Sequence, residues 1–236
     1  MNRLERLEQS DRDYIATLSH ELKTPLTTIT GYTELLLDGL AEEPGMATRC
    51  LETIRREADR LRLIINDLIV LTRLDQQVYG GGIVYETANI CAILADAADA
   101  VRGSAETASV RVDLECPETL TARVVPLLLS QAVVNLVQNA IAHSEPGGRI
   151  LVQATAKTGM IAIAVRDWGT GVAPEHLQRI FEPFYRVDTG HSRKRSGSGL
   201  GLTIVRQIAI VHGGTVKVES APGQGSTFTI RIPARG

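Results

Sequence analysis

Three groups of side chains in this sequence have the types and spacing to do chemistry. The first is His20 with Glu21, inside LSHELKTPL. Leu18 and Leu22 stand four apart and share one helix face. His20 lies two residues from each, about 200° round at ~100° per residue, so it points to solvent. An imidazole with an ordinary pKa of ~6.5 keeps a ring nitrogen free as a nucleophile near neutral pH. A carboxylate beside it can accept the other ring N–H, fix the tautomer and stabilise positive charge as an electrophile arrives. HELKT lacks the second histidine of the HExxH zinc pattern. Alone the pair is weak, because a single helix histidine is most often plain surface. The second group is Asn135, Asn139 and Asp167. The two asparagines are four apart in QAVVNLVQNAIAHS and share a face. Amide oxygens suit a hard cation such as magnesium, which keeps waters and bridges phosphate oxygens, although a solvated helix side explains the same pair. Asp167 ends an apolar strand in DWGTG. A carboxylate there can accept a hydrogen bond from the exocyclic amine of adenine, which guanine lacks, and Gly169 and Gly171 let backbone approach a flat ring. The third group is Gly197-Ser198-Gly199-Leu200-Gly201, which opens a helix and offers free N–H groups to phosphate. It is neither a GK[ST] phosphate loop nor a dinucleotide fingerprint within a βαβ unit.

These groups need two kinds of scaffold. Residues 1–76 are helical in pattern, with a hairpin expected over about 3–38 and 46–76 around the turn DGLAEEPG. Ile15, Leu18, Leu22, Leu26 and Ile29 recur at helical spacing in the first helix. Leu51, Ile54, Ala58, Leu61, Ile65 and Leu68 form a heptad-like stripe in the second. That stripe is too wide for two helices to cover, so a homodimer completing a four-helix bundle is expected. Pro25 lies inside the helical pattern, removes one backbone N–H and frees the carbonyl of Glu21, so a bend is expected there. QQVYGGGIV reads as a flexible linker over 77–84. Residues 85–236 then mix strands (110–116, 149–156, 159–167, 214–220, 226–232) with helices (89–103, 124–142, 199–212), which fits an α/β sandwich with helices on one face of a mixed sheet. Phe181, Phe184 and Tyr185 should anchor a loop to its core. The polar run after them, with Arg193, Lys194 and Arg195, reads as a mobile lid. His212 should end a helix with Gly213 as its cap, and His176 and His191 have no constellation around them.

Composition excludes several functions. Lys and Arg number 25 against 27 Asp and Glu, for a net charge of −2, which gives no basic face for nucleic acid. Cys50, Cys91 and Cys116 show no metal-ligand spacing and read as reduced thiols. No apolar run approaches the ~20 residues needed to cross a bilayer, and the charged N-terminus is not a signal peptide. The chain as given reads as soluble and cytoplasmic.

His20-Glu21-Leu22-Lys23-Thr24-Pro25-Leu26 resembles the phosphoacceptor box of two-component sensor histidine kinases. The asparagine, DWGTG, aromatic and glycine-rich blocks resemble, in the same order, the nucleotide-binding domain of that family, a Bergerat-type sandwich of the GHKL class. The resemblance runs from about Asp11 to Pro233. It implies ATP and Mg2+ as cofactors, with autophosphorylation of His20 assisted by Glu21, and transfer to an aspartate of a response regulator. It implies that Thr24 orients a water for dephosphorylating that partner. It places Asn139 on the magnesium and Asn135 nearby. ATP contacts fall to His143, Asp167, Gly169, Gly171, Arg186, Gly197, Gly199, Leu200 and Gly201, with Arg186 toward the γ-phosphate. Ala142 and His143 stand where the family often has Lys and Tyr, so one phosphate contact is absent.

A GHKL-type ATPase or conformational machine is the alternative. Such enzymes carry a glutamate as base for water one turn before the magnesium asparagine, and here that position is Asn135. A non-enzymatic dimeric scaffold would leave the nucleotide blocks without a role. The stretch Leu4-Leu7-Asp11-Tyr14 reads as a coiled coil continuing from an upstream sensor missing from this chain, with a parent anchored in the inner membrane.

Overall fold

The computed structural model describes residues 3–39, 43, 45–80, 82–187 and 197–234. The expected lid, with Arg193, Lys194, Arg195 and His191, lies outside these residues, as does half of the turn DGLAEEPG. The chain divides into two compact units, Met1–Ile69 with Pro183–Leu200, and Val70–Glu182 with Gly201–Gly236.

The first unit is built on α1 (Arg3–Leu37) and α2, which runs Met46–Gly80 across the division. Gly45, at φ +81°, precedes α2, and no glycine or proline interrupts it before Gly80. The helix therefore continues four residues past 76, and the first half of the expected linker is helical. QQVY contains nothing that stops a helix. α1 is continuous through Pro25, which is buried. Leu18 and Leu22 are half-buried and His20 is exposed, so the histidine faces solvent as expected. Ile15 and Leu26 differ from expectation and are exposed.

The buried line of α2 is displaced from the expected stripe. Cys50, Ile64 and Leu74 are fully buried, with Ile54, Leu61 and Leu68 half-buried, whereas Leu51, Ala58 and Ile65 are exposed. The apolar surface of α2 is wider than one partner helix covers, so one flank packs inward. The other flank, which includes Leu51, Ile65 and Ile69, stays open. The side chains of residues 3–14, where the coiled-coil stripe was expected, lie outside the described residues.

The second unit is an α/β sandwich. β2 (Arg111–Glu115), β4 (Arg149–Lys157), β5 (Met160–Asp167), β7 (Ser226–Pro233) and β6 (Thr215–Ser220) form one sheet in that spatial order. Only β2–β4 is parallel, and the other pairs are antiparallel. Alternation places Ile161, Ile163 and Val165 of β5 inward, each level with a buried partner on β7: Ile232, Ile230 and Phe228. α3 (Ile90–Ala100), α5 (Pro126–His143) and α6 (Gly201–Val211) cover that face.

The expected helix over 89–103 stops at Ala100, and a short α4 (Arg102–Thr107) follows. Asn89 caps α3 by accepting from Ala92 N. A two-stranded ribbon of β1 (Glu86–Asn89) and β3 (Thr121–Val124) completes the unit. α6 ends as expected, with Gly213 at φ +65° and its N–H on Ile210 O. His212 is buried just beyond. Its Nδ1 donates to Ile208 O and its Nε2 accepts from Val125 N. The three cysteines are free. Cys91 and Cys116 lie side by side, and burial, with the neighbouring Cys91, pushes the Cys116 thiol up to about 12.

Candidate functional site

Asp167, the last residue of β5, is 3% exposed. Its Oδ1 accepts from Gly169 N at 2.9 Å and from Ser226 N at 3.2 Å. Both of these bonds fall on Oδ1, and no other described residue donates to Oδ2. Burial pushes this carboxyl above its usual range, opposed by the backbone N–H groups of Gly169, Ser226 and Asp167 itself and by nearby His143.

The turn around Asp167 is made of glycines that tolerate no side chain. A Cβ on Gly169 would lie 2.0 Å from His143 O, and one on Gly171, at φ +65°, 1.9 Å from Ala221 O. His143 thus serves the site through its carbonyl, which also accepts from Thr170 N; its side chain is exposed. Gly225, legible in the sequence only as part of a turn, belongs to the same arrangement. It adopts φ +77°, and a Cβ there would lie 2.1 Å from Asp167 O. Ser220 completes the lock: its Oγ accepts from Val172 N and donates to Gly225 O. Trp168 is 44% exposed, with the Arg166 guanidinium 4.6 Å from its ring centroid.

The two asparagines differ in role. Asn135 is buried. Its Oδ1 accepts from Gln131 Nε2 and its Nδ2 donates to Gly201 O, which ties α5 to the start of α6. Asn139, one turn on, is half-buried, and its side-chain amide has no hydrogen-bond partner among the described residues. An amide oxygen of this kind fits a magnesium ion held mainly by phosphates and water. Among the described residues no cluster of three acidic, histidine or cysteine side chains offers a protein-only metal cage.

Phe181 packs edge-on against Phe228, and Thr203 Oγ1 bonds Phe181 O, so the start of the aromatic block is held on the core. Phe184, Tyr185, Arg186, Gly197, Gly199 and Leu200 fall in the first unit. There Gly199, at φ +77°, packs its Cα on Phe184, whose N–H bonds Gly199 O. Ser198 Oγ accepts from Leu200 N and donates to Asp67 of α2. Burial pushes the Asp67 carboxyl up.

On α1, Thr24 Oγ1 donates to His20 O, an ordinary helix back-bond. Glu21 is half-buried, and its Oε2 accepts from Arg60 Nη2 of α2 at 2.7 Å. Neighbouring helix residues lie about 100° apart, so exposed His20 and inward-leaning Glu21 can coexist.

Two families of known proteins match different parts of the chain. Residues 10–77 match the His Kinase A (phospho-acceptor) domain family, and residues 124–236 match the histidine kinase-, DNA gyrase B- and HSP90-like ATPase family. Sensor protein SrrB of Staphylococcus aureus (strain N315) is 34% identical over 228 residues, which are 96% of this chain. The chain spans only 39% of that relative's length. ShkA, solved at full length in complex with AMPPNP, aligns over 94% of this chain and 45% of its own, at 28% identity and a TM-score of 0.62. ThkA, solved in complex with response regulator protein TrrA, shares the fold over 99% of this chain and 64% of its own, with a TM-score of 0.74 at 22% identity. With a phosphoacceptor helix pair followed by an ATPase-type sandwich, the chain belongs to the two-component sensor histidine kinase family.

Proposed function

We propose that this chain is a protein-histidine kinase core that phosphorylates its own His20 from ATP and passes the phosphoryl group to an aspartate of a response regulator. The observation that carries this reading is the exposure of His20 on the face of α1 opposite Leu18 and Leu22, within a matched phosphoacceptor domain. A ring nitrogen of His20 forms the N–P bond, the bond from Pγ to the β-bridging oxygen breaks, and ADP leaves. The other ring N–H proton passes to Glu21.

Asp167 Oδ2 receives the adenine amine, while Gly169 and Gly171 allow the ring to approach. Asn139 holds magnesium, which neutralises phosphate charge when bound. Arg186, Gly197, Gly199, Leu200 and Gly201 contact the phosphates, and His143 borders the base through its backbone. Hydrolysis by water is disfavoured, because Asn135 occupies the position of a catalytic glutamate and its amide is already bonded to Gln131 and Gly201.

The exposed apolar flank of α2, with Leu51, Ile65 and Ile69, supports a homodimer through a four-helix bundle. Thr24 serves dephosphorylation of the regulator. Among the described residues no helix is long and apolar enough to cross a membrane. A sensor upstream, in a parent held at the inner membrane, supplies the signal. Incubation with γ-labelled ATP and magnesium tests the central step. The chain should acquire an acid-labile, base-stable phosphate that His20→Gln abolishes, and persistence of the label in that variant would refute the site.

A further inference from the structure

The carboxylate beside His20 does not stand alone. Arg60, on the second helix, reaches across to it with Nη2 2.7 Å from Glu21 Oε2. Both side chains are mostly buried, at 21% and 25% exposure, so the pair is shielded far more than an ordinary surface ion pair. Glu57 supports the arginine from its own helix, with Oε2 4.0 Å from Nη1, and Arg56 engages the other oxygen of Glu57. A charged ladder thus runs from α2 to the residue next to the phosphoacceptor. Arg60 Nε is buried with no partner among the described residues. An arginine that packed only for stability would be expected to satisfy that donor. Here the guanidinium gives up one hydrogen bond and keeps the one to Glu21.

We infer that Arg60 is a positioning residue for His20 phosphorylation, holding Glu21 by Oε2 so that Oε1 stays free to take the imidazole proton. The inference rests on the reading of Glu21 as the proton acceptor of His20. As the N–P bond forms at one ring nitrogen, the proton on the other moves to Oε1, and Oε2 remains on Arg60. A carboxylate on a free side chain would sample several rotamers. One anchored across the hairpin is confined, and confinement of a catalytic group is worth large factors in rate. Only one N–H of Arg60 contacts Glu21, so a lysine ammonium can replace the interaction. This separates charge and reach from the arginine's packing.

The test is the first-order rate of autophosphorylation of the full chain with labelled ATP and magnesium, its limit at saturating ATP taken as kcat and the half-saturating ATP as KM, for wild type, Arg60→Met, Arg60→Lys, Glu21→Gln and the Arg60→Met/Glu21→Gln double variant. Arg60→Met should lower kcat about tenfold or more, with KM for ATP within about twofold. Arg60→Lys should recover most of the rate. The double variant should be no slower than Glu21→Gln, because the arginine acts through the carboxylate. Thermal melting and nucleotide affinity are read in parallel, and Arg60→Lys carries the test if Arg60→Met does not fold. Wild-type kcat in Arg60→Met, losses that multiply in the double variant, or an Arg60→Lys that folds yet is as slow as Glu21→Gln would each overturn the inference. Wild-type activity in Glu21→Gln would fail the proton-acceptor reading itself, and label surviving in His20→Gln would fail the proposed function.

Discussion

Replacing Asp167 by Asn removes one charge and exchanges one oxygen for an NH2 group, with almost no change in shape. In the structure Oδ1 accepts from Gly169 N and Ser226 N. An asparagine can keep both bonds with its own Oδ1. The exchanged atom is then Oδ2, the one proposed to receive the adenine amine. Toward adenine, an acceptor becomes a donor facing a donor. A hydrogen bond to a charged group contributes about 1.5–3 kcal/mol. At ~1.4 kcal/mol per factor of ten, ATP affinity should fall about 10- to 150-fold.

Stability should move the other way. Burial raises this carboxyl, so its ionised form is disfavoured in the fold at neutral pH, and a neutral amide should melt at the same temperature or higher. Guanine carries a carbonyl where adenine carries the amine, so the asparagine should also narrow the preference for ATP over GTP. Calorimetric titration of both nucleotides, with a thermal melt as control, measures all three effects. An Asp167→Asn variant that keeps wild-type ATP affinity would refute the adenine role. One whose melting temperature collapses would show that the carboxylate is a structural charge instead.

Two glycines of one turn should respond differently to alanine. Gly223, at φ +73°, has nothing within 4 Å of the position an added methyl would take and should lose only the about 1–2 kcal/mol of left-handed backbone strain. Gly225→Ala must displace the Asp167 carbonyl as well, so it should lose more in denaturant melts and weaken ATP binding. His212 should make the fold acid-sensitive. Burial lowers its pKa, so the unfolded chain binds the extra proton. The stability it contributes is complete above histidine's ordinary ~6.5 and is lost as pH falls below that. A His212→Gln variant should flatten that part of the melting-temperature profile, and an unchanged profile would contradict the assignment. Thr24→Ala should leave autophosphorylation intact while slowing dephosphorylation of a phosphorylated receiver domain, and normal phosphatase activity would reject that role.

Helical spacing was enough to place His20 on the solvent side of α1, because Leu18 and Leu22 fix the rotation of the helix locally. It was not enough for α2. There apolar residues cover more than one face, and only the packed structure selects Ile64 over Ile65. The five main strands were legible from alternation. β1 and β3 were not, being four residues each: β1 carries polar side chains on both faces, and β3 offers only Ala122 and Val124 as an apolar face. Asp167 could be found from its strand and glycines. Its second backbone donor, Ser226, and the glycine that grants close approach, Gly225, come from a hairpin far along the chain, and APGQG alone signals only a turn. Arg60 was hidden for a similar reason. A charged residue between stripe positions reads as solvated until the facing helix supplies Glu21.

The most direct test is to find where the phosphorus goes. The full chain is incubated with ATP and magnesium, quenched in alkali and digested, and the peptides are sequenced by mass spectrometry under basic conditions, with free phosphate assayed in the same sample. The expected result is phosphate on the ring of His20, with little release to water. Phosphate on another side chain, or steady release of free phosphate from an unmodified chain, would contradict it.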